Sequence, residues 1–406
     1  MPPSLSRRIQ ALPASAIRKY LPMADGLRTQ GVTVFPLNIG QPDVATSSLF
    51  YEGVRMFDEP VLSYAPSAGD ESLRQAISRY YERLNISVSA AQTIITSGAS
   101  EALMAVFDLV CDPGDEVIVF EPFYTNYQSM AGLKGVKVVS VATKLEEGFA
   151  LPSIEMIEQA ITPRTKAVLM CNPNNPTGSV VSKERLVELV ELAKRCSIFL
   201  IVDEVYREFV FEGERATSVL EIRGSEEVAI VVDSVSKRYS ACGARIGWLV
   251  LRREDLMNAA LKYAQMRLSV PTVEQRAFVR VLDEGETDIQ RAKREYATRR
   301  DIVFRCLQEA GIPCGYPAGA LYLIADIGVD AELFTQFMLK EYSGIQTERQ
   351  TVLTTPAQAF YATAGAGKTQ IRIAFVIEEN GLKIAMKHLI KGREEFLEKQ
   401  KSASVG

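Results

Sequence analysis

Residues 167–203 read AVLMCNPNNPTGSVVSKERLVELVELAKRCSIFLIVD, and the fold turns on how this stretch divides. AVLMC and IFLIVD are short and almost wholly apolar, while SKERLVELVELAKRC between them is of helix length. Strands so apolar, separated by helices, belong to a sheet covered on both faces. The pattern extends outward: TIIT, DEVIVF and VKVVSV come before, VAIVVD and IGWLVL after, and EALMAVFDLV is another helical stretch between them. Seven strands are therefore expected between about residues 92 and 252. The class is α/β, a mostly parallel seven-stranded sheet covered by helices, with ligands expected outside the carboxyl ends of the strands.

Further along, residues 255–310 are helix-rich and short strands return in PAGALYLIADI and KTQIRIAFV. A smaller α+β domain is expected there, giving a large domain over 46–290 and a small one from 1–45 plus 291–406. No linker rich in Pro, Gly or Ser and no internal repeat interrupts the chain, so the two should pack closely. With 406 residues, 47% hydrophobic and 24% charged, the chain can bury a core large enough for both. A net charge of −4 without a run of like charges leaves no nucleic-acid or anionic membrane partner to expect. MPPSLSRRIQ lacks the apolar core of a signal peptide, and no segment approaches the ~20 apolar residues of a membrane span. The expected location is the cytoplasm. Six cysteines without a CxxC and a single histidine, His388, fit neither a disulfide framework nor a metal site, and that lone histidine near the C-terminus argues against a His-dependent triad.

The polar residues gather at strand ends. In SGASEALMAVFDLV, the spacing of Leu103, Val106, Phe107 and Val110 marks a helix face. Gly98, Ala99 and Ser100 then sit at the helix N-terminus, where free N–H groups suit a phosphate. AVLM leads into the prolines and amides of CNPNNPTG, IFLIV ends in Asp203 with Tyr206 close behind, and VAIVVD runs into SVSKRYSACGARIGW at 234–248. That last segment sets Lys237 among Ser234 and Ser236 with Arg245 downstream, where an idle lysine would face a desolvation cost. Taken singly, Asp203 reads as a helix cap, Tyr124 and Tyr206 as core residues and Arg372 as an edge residue. Together they offer a phosphate cradle, an amine, a lone carboxylate and phenol or amide donors. Pyridoxal phosphate needs that set: a lysine for a Schiff base with its aldehyde and a carboxylate to keep its ring nitrogen protonated. GAGKT at 365–369 is not read as a nucleotide loop, because the first glycine of that motif falls at Ala362 and no strong apolar strand precedes it.

The chain also resembles the class I/II aminotransferases of the aspartate aminotransferase fold type. The likeness runs from LNIGQPD at 37–43 through YAPSAGDESLRQAI, DPGDEVIVFEPFY, NPNNPTG, DEVY and SVSKRYSACGARIGW to QIRIAFV at 370–376. It implies a homodimer that moves an amino group between an amino acid and a 2-oxo acid by a ping-pong mechanism on pyridoxal 5'-phosphate. Lys237 would be the Schiff-base lysine and proton shuttle, and Asp203 the partner of the ring nitrogen. Tyr206 and Asn175 would bond the ring's phenolic oxygen, and Tyr124 would stack on the ring. The phosphate would be held by Ser234, Ser236, Arg245 and the backbone of Gly98, Ala99 and Ser100, with Tyr64 reaching across from the neighbouring subunit. Arg372 would take the substrate α-carboxylate in a bidentate fork, aided by Gly40 and Asn175.

Two departures bear on substrate. Ser100 stands where bacterial aspartate and prephenate enzymes of the family often carry a lysine for the distal carboxylate, and TPAQAFY replaces the usual PGxxFG before Arg372. Arg267 in MRLSVPT is a candidate replacement charge from the partner subunit, although a solvated helix-end arginine is the commoner reading; unless it substitutes, preference is expected to shift toward neutral or aromatic amino acids. A lyase or decarboxylase on the same cofactor is the alternative activity. A ligand-sensing regulator is set aside, since Met1 to Arg28 is too short and too weakly basic for a DNA-binding domain.

Overall fold

The helix Lys183–Cys196 shows how the sheet is built. Ser182 caps it by accepting the Arg185 amide at 3.3 Å, and Ser197 ends it in a left-handed conformation with φ 53°. Its buried stripe of Leu186, Leu189, Val190 and Ala193 has helical spacing. It carries the chain from the strand Thr165–Cys171 to Phe199–Asp203, which pair in parallel with Ala167 opposite Phe199. The computed structural model describes residues 3–213 and 215–405; residues 1, 2 and 406 of the expected small domain lie outside it.

Among the described residues, seven strands form this sheet in the order Thr93–Thr96, Gly247–Leu251, Ala229–Ser234, Phe199–Asp203, Thr165–Cys171, Glu116–Glu121, Lys137–Ala142. All neighbours are parallel except at Gly247–Leu251, which runs antiparallel to both of its partners. The reason is local. A parallel partner needs a crossover of a dozen or more residues, whereas Ala229–Ser234 returns directly through the short helix Val235–Arg238 and the turn Cys242–Ala244. Lys237 stands in that return. Alternate residues enter separate cores: Ile118, Val168, Leu200 and Val231 on one face, Val119, Leu169, Ile201 and Val232 on the other. Both faces are thus dry.

A further core joins the two ends of the chain. Tyr20, Val34 and Leu37 pack with Leu323, Ile373 and Leu389. Around it, Gln370–Ala374 lies antiparallel between Thr355–Pro356 and Tyr322–Asp326, and Thr33–Pro36 runs parallel to Gln350–Leu353. The helix Glu286–Glu309 spans the two parts, with Ile289 in the sheet's core and Val303 and Leu307 in this one.

Beside the return at Lys237 lies a buried ionic cluster. Arg238 pairs with Asp233 and lies 3.8 Å from Glu208, while Arg207 lies 3.4 Å from Glu204 and 3.7 Å from Asp233. Tyr80 donates to Glu208 and accepts from Arg207, and Trp248 Nε1 donates to the Tyr81 hydroxyl at 3.2 Å. Burial pushes Glu204 up to about 7 despite Arg207, so two guanidiniums chiefly face Asp233 and Glu208. Each of Asp203, Tyr206 and Lys237 is followed in sequence by a member of this cluster. Removing one partner of a buried pair leaves the other uncompensated. Arg238→Met is accordingly expected to cost about 3–5 kcal/mol in denaturant unfolding, and a loss under about 1 kcal/mol would show that the cluster relaxes around the gap.

Candidate active site

A cavity of about 420 Å³ opens at the carboxyl ends of the central strands, within the usual size of ligand sites. Asp203 and Ser234 are strand-end residues, and Asn175 lies in the loop after Cys171. The cavity brings together most of the sequence-predicted residues: Gly40, Ala99, Ser100, Tyr124, Asn175 and Asp203, and also Tyr206, Ser234, Ser236, Lys237, Arg245 and Arg372.

Lys237 Nζ donates to the Gly40 carbonyl oxygen at 2.9 Å and lies 5.8 Å from the centre of the Tyr206 ring. A Cβ on residue 40 would run into the Tyr322 side chain, so only glycine lets this carbonyl come so close. Asp203 is buried and accepts from the Tyr127 hydroxyl at 2.9 Å and the Val205 amide at 3.3 Å. Burial pushes its carboxyl up to about 6, and those two hydrogen bonds only partly oppose the rise. No cation of the described residues forms an ion pair with it.

Arg372 is the mirror case. It is 1% exposed, donates to Asn175 Oδ1 at 3.1 Å and to the Asn38 carbonyl at 2.5 Å, and leaves Nε without a partner. Burial lowers its pKa, countered by the nearby tyrosines. Its guanidinium lies 4.4 Å from the centre of the Tyr322 ring and 5.0 Å from that of Phe360. Phe360 comes from the TPAQAFY segment that departs from the family pattern, and it forms one wall for the arginine.

The end of the cavity expected to take a phosphate combines a helix start with the side chains of Arg245, Ser234 and Ser236. Gly98 starts the helix Gly98–Val110 with φ +75°, and a Cβ there would strike the Arg245 guanidinium. A Cβ on Gly247 would fall 2.5 Å from the Gly98 carbonyl carbon, so two glycines let strand and helix start meet. Arg245 is steadied by the Cys242 and Ser97 carbonyls at 2.8 and 3.1 Å. The Ser234 and Ser236 hydroxyls share a 2.8 Å hydrogen bond beside it.

Three predicted residues lie apart. Gly98 shapes the helix start without lining the cavity. Tyr64 is 81% exposed, outside its own chain's cavity. Arg267 donates from Nε to Glu101 at 2.7 Å and from a terminal nitrogen to the Ile95 carbonyl at 2.8 Å. In the GAGKT segment, Lys368 lies 3.5 Å from Asp330 at the surface. Conversely, sequence reading passed over Tyr127, the hydrogen-bond donor to Asp203, and Tyr322, whose hydroxyl shares a 2.8 Å bond with that of Tyr206 and donates to the Gly40 carbonyl at 3.3 Å. It also passed over Arg18, which reaches the cavity from the N-terminal segment.

These residues fit pyridoxal phosphate. A buried carboxylate in no ion pair among the described residues suits a protonated ring nitrogen, and a buried guanidinium in none suits a carboxylate. Each is costly to bury unless a ligand completes it.

Comparison with known proteins agrees. The family model described as aminotransferase class I and II matches residues 32–389. An aspartate/prephenate aminotransferase of Thermus thermophilus is 36% identical over 327 residues, covering 79% of this chain and 84% of the relative. An aromatic-amino-acid aminotransferase of Thermococcus litoralis is 29% identical over 402 residues, 97% of this chain and 99% of that one. The solved structure of an aspartate aminotransferase from Thermus thermophilus with maleate superposes with a TM-score of 0.87 at 32% identity, covering 96% of this chain and all of the other (100%).

Proposed function

The chain belongs to the class I and II aminotransferases and is a pyridoxal-phosphate-dependent aminotransferase, and from that premise we propose that Lys237, Asp203 and Arg372 carry its amino transfer. The observation behind this reading is that a buried carboxylate and a buried guanidinium, neither in an ion pair with another of the described residues, share one cavity with a lysine. When bound, the cofactor supplies an aldehyde that takes the amino group and a ring that accepts the electron pair left by the α-proton. Lys237 Nζ, held at the cavity by the Gly40 carbonyl, would carry the cofactor's aldehyde and, when free, would move the proton at the substrate α-carbon. Asp203 holds the ring nitrogen protonated, and Tyr127 fixes the carboxylate's orientation. Tyr206, tied to Tyr322, and Asn175 would hold the ring's phenolic oxygen, and Tyr124 would help to hold the ring. Ser234, Ser236, Arg245 and the Ala99 and Ser100 amides bind the phosphate. Arg372 binds the substrate α-carboxylate, which supplies the missing partner for its guanidinium.

The test is a half-reaction on holoprotein with single amino acids. Amino transfer yields about one 2-oxo acid per site, with the amino group kept on the cofactor. Catalytic release of ammonia, sulfide or carbon dioxide would make the enzyme a lyase.

The reading includes a homodimer with shared sites, in the cytoplasm. No helix among the described residues is long and apolar enough to cross a membrane. Met56, Val61, Leu62 and Tyr64 form an exposed apolar strap that Thr272 ties down through the Ser63 carbonyl at 3.0 Å, and Met266 and Leu268 are exposed as well. A second copy of the chain would cover such a surface. If Tyr64 serves the neighbour's phosphate, inactive Lys237→Ala and Tyr64→Ala subunits should regain activity when exchanged, at one of the two sites in each hybrid. No recovery despite proven exchange would remove the shared site.

A further inference from the structure

Two tyrosine hydroxyls meet inside the cavity, and the proposed reaction accounts for only one of them. Tyr206 is to serve the ring's phenolic oxygen, yet its hydroxyl also shares a 2.8 Å hydrogen bond with that of Tyr322, which lines the same space. A phenol carries a single proton. If Tyr206 gives its own to the ring oxygen, the proton between the two tyrosines has to come from Tyr322. Resting on the aminotransferase reading, we propose that Tyr322 is a positioning residue: its hydroxyl donates to Tyr206 and so aims and strengthens the hydrogen bond that Tyr206 makes to the cofactor.

The surroundings hold Tyr322 for this task. It opens the strand Tyr322–Asp326, opposite Ala374 of Gln370–Ala374, and it is buried. Its ring meets that of Tyr206 at 84° with 5.7 Å between centres, and the Arg372 guanidinium lies 4.4 Å from its centre. The hydroxyl has a space of its own, since a Cβ on residue 40 would fall 1.8 Å from it. A buried hydroxyl is costly unless it is hydrogen-bonded. Among the described residues its other acceptor is the Gly40 carbonyl, at 3.3 Å the longer of the two contacts, and Lys237 already serves that carbonyl at 2.9 Å.

Burial, with Tyr322 as the next cause, holds the Tyr206 hydroxyl well above the ordinary phenol value, so it keeps its proton and acts as a donor. Burial also raises the Tyr124 hydroxyl, to about 12, and the Cys171 thiol. The charges facing the pair are then Lys237, 5.8 Å from the centre of the Tyr206 ring, Arg372 beside Tyr322 and, in the same cavity, Asp203. A hydroxyl that itself accepts a hydrogen bond is a better donor, since each bond in a chain polarises the next. A donor on the ring oxygen draws negative charge away from Lys237 Nζ once the cofactor is attached, and Nζ then holds its proton less tightly.

The test is a spectroscopic pH titration of holoenzyme, with Tyr322→Phe, Tyr206→Phe and the double variant beside the wild type. Tyr322→Phe keeps the ring and loses the hydroxyl, so the pH at which the visible band changes should rise by about 0.3 to 1 unit, the worth of one neutral hydrogen bond. In the Tyr206→Phe background the same substitution should shift nothing further, because Tyr322 acts through Tyr206. For each of L-aspartate, L-alanine and L-phenylalanine that reacts, Tyr322→Phe should lower kcat roughly 3- to 10-fold and leave KM within about 2-fold. Tyr322→Leu, which also takes the ring from Arg372, should raise KM roughly 10-fold. No shift, a downward shift, a shift of equal size without Tyr206, or a KM raised as far by Phe as by Leu overturns the role of Tyr322 while amino transfer stands. Failure of the wild type to form 2-oxo acid from any amino acid overturns both.

Discussion

Lys237→Ala should lose the visible absorbance of the lysine-bound cofactor and cut turnover by roughly 10⁴-fold or more, the upper range for a positioned acid–base group. The size follows from its position. Nζ is the one amine lining the cavity, and it stands between the Gly40 carbonyl and the Tyr206 ring. The neighbouring Arg238 is a guanidinium paired with Asp233 and offers no amine to take over. Cofactor affinity should fall less than turnover, because the phosphate contacts do not depend on Lys237. Spectra and steady-state rates of the two proteins check both statements, and a variant that keeps the band would place the attachment on another lysine.

Asp203→Asn is expected to lower kcat by roughly 10²- to 10³-fold, the usual cost of removing a preorganised electrostatic partner, while the cofactor stays bound. Its second effect is on stability and runs the other way. Burial raises the Asp203 carboxyl to about 6 from an ordinary 3.8. A raised carboxyl means that the folded chain holds its proton more tightly than the unfolded one. The contribution is fully present below about pH 4 and is lost as pH rises through about 6. For a shift of about two units the loss amounts to about 3 kcal/mol. Cofactor-free Asp203→Asn should escape that loss and be the more stable protein at about pH 7.5, with the difference closing near pH 4. With cofactor bound, the wild type gains the ring's positive charge and the order should reverse. Urea unfolding of both proteins with and without cofactor measures this, and equal pH slopes would mean that Asp203 is solvated or paired in the cofactor-free protein.

The sheet was legible because its central strands are buried on both faces and so read as unbroken apolar runs, as AVLMC and IFLIVD do. The strand ends were legible for the same reason: polar residues following such runs can lie only where the runs emerge. What escaped the reading had the look of something ordinary. Tyr322 sits among apolar neighbours, where a tyrosine signals packing, Tyr127 lies in the polar stretch TNYQS, and only the fold shows their hydroxyls on Tyr206 and Asp203. Gln350–Leu353 is a short strand whose partner, Thr33–Pro36, lies at the other end of the chain. No local pattern announces such a pairing. Arg267 meets Glu101 from a distant part of the sequence, so its charge looked available. Arg18 precedes the helix Leu21–Thr29 in a segment without periodicity, and nothing in the sequence brings that segment to the sheet.

The proposed mechanism requires the cofactor to attach to Lys237. Reducing the holoenzyme with borohydride, digesting it and locating the cofactor's mass by peptide mapping tests this most directly. The account predicts a single modified peptide containing Lys237, within SVSKRYSACGAR. Cofactor fixed to any other lysine, with Lys237 unmodified, would contradict it.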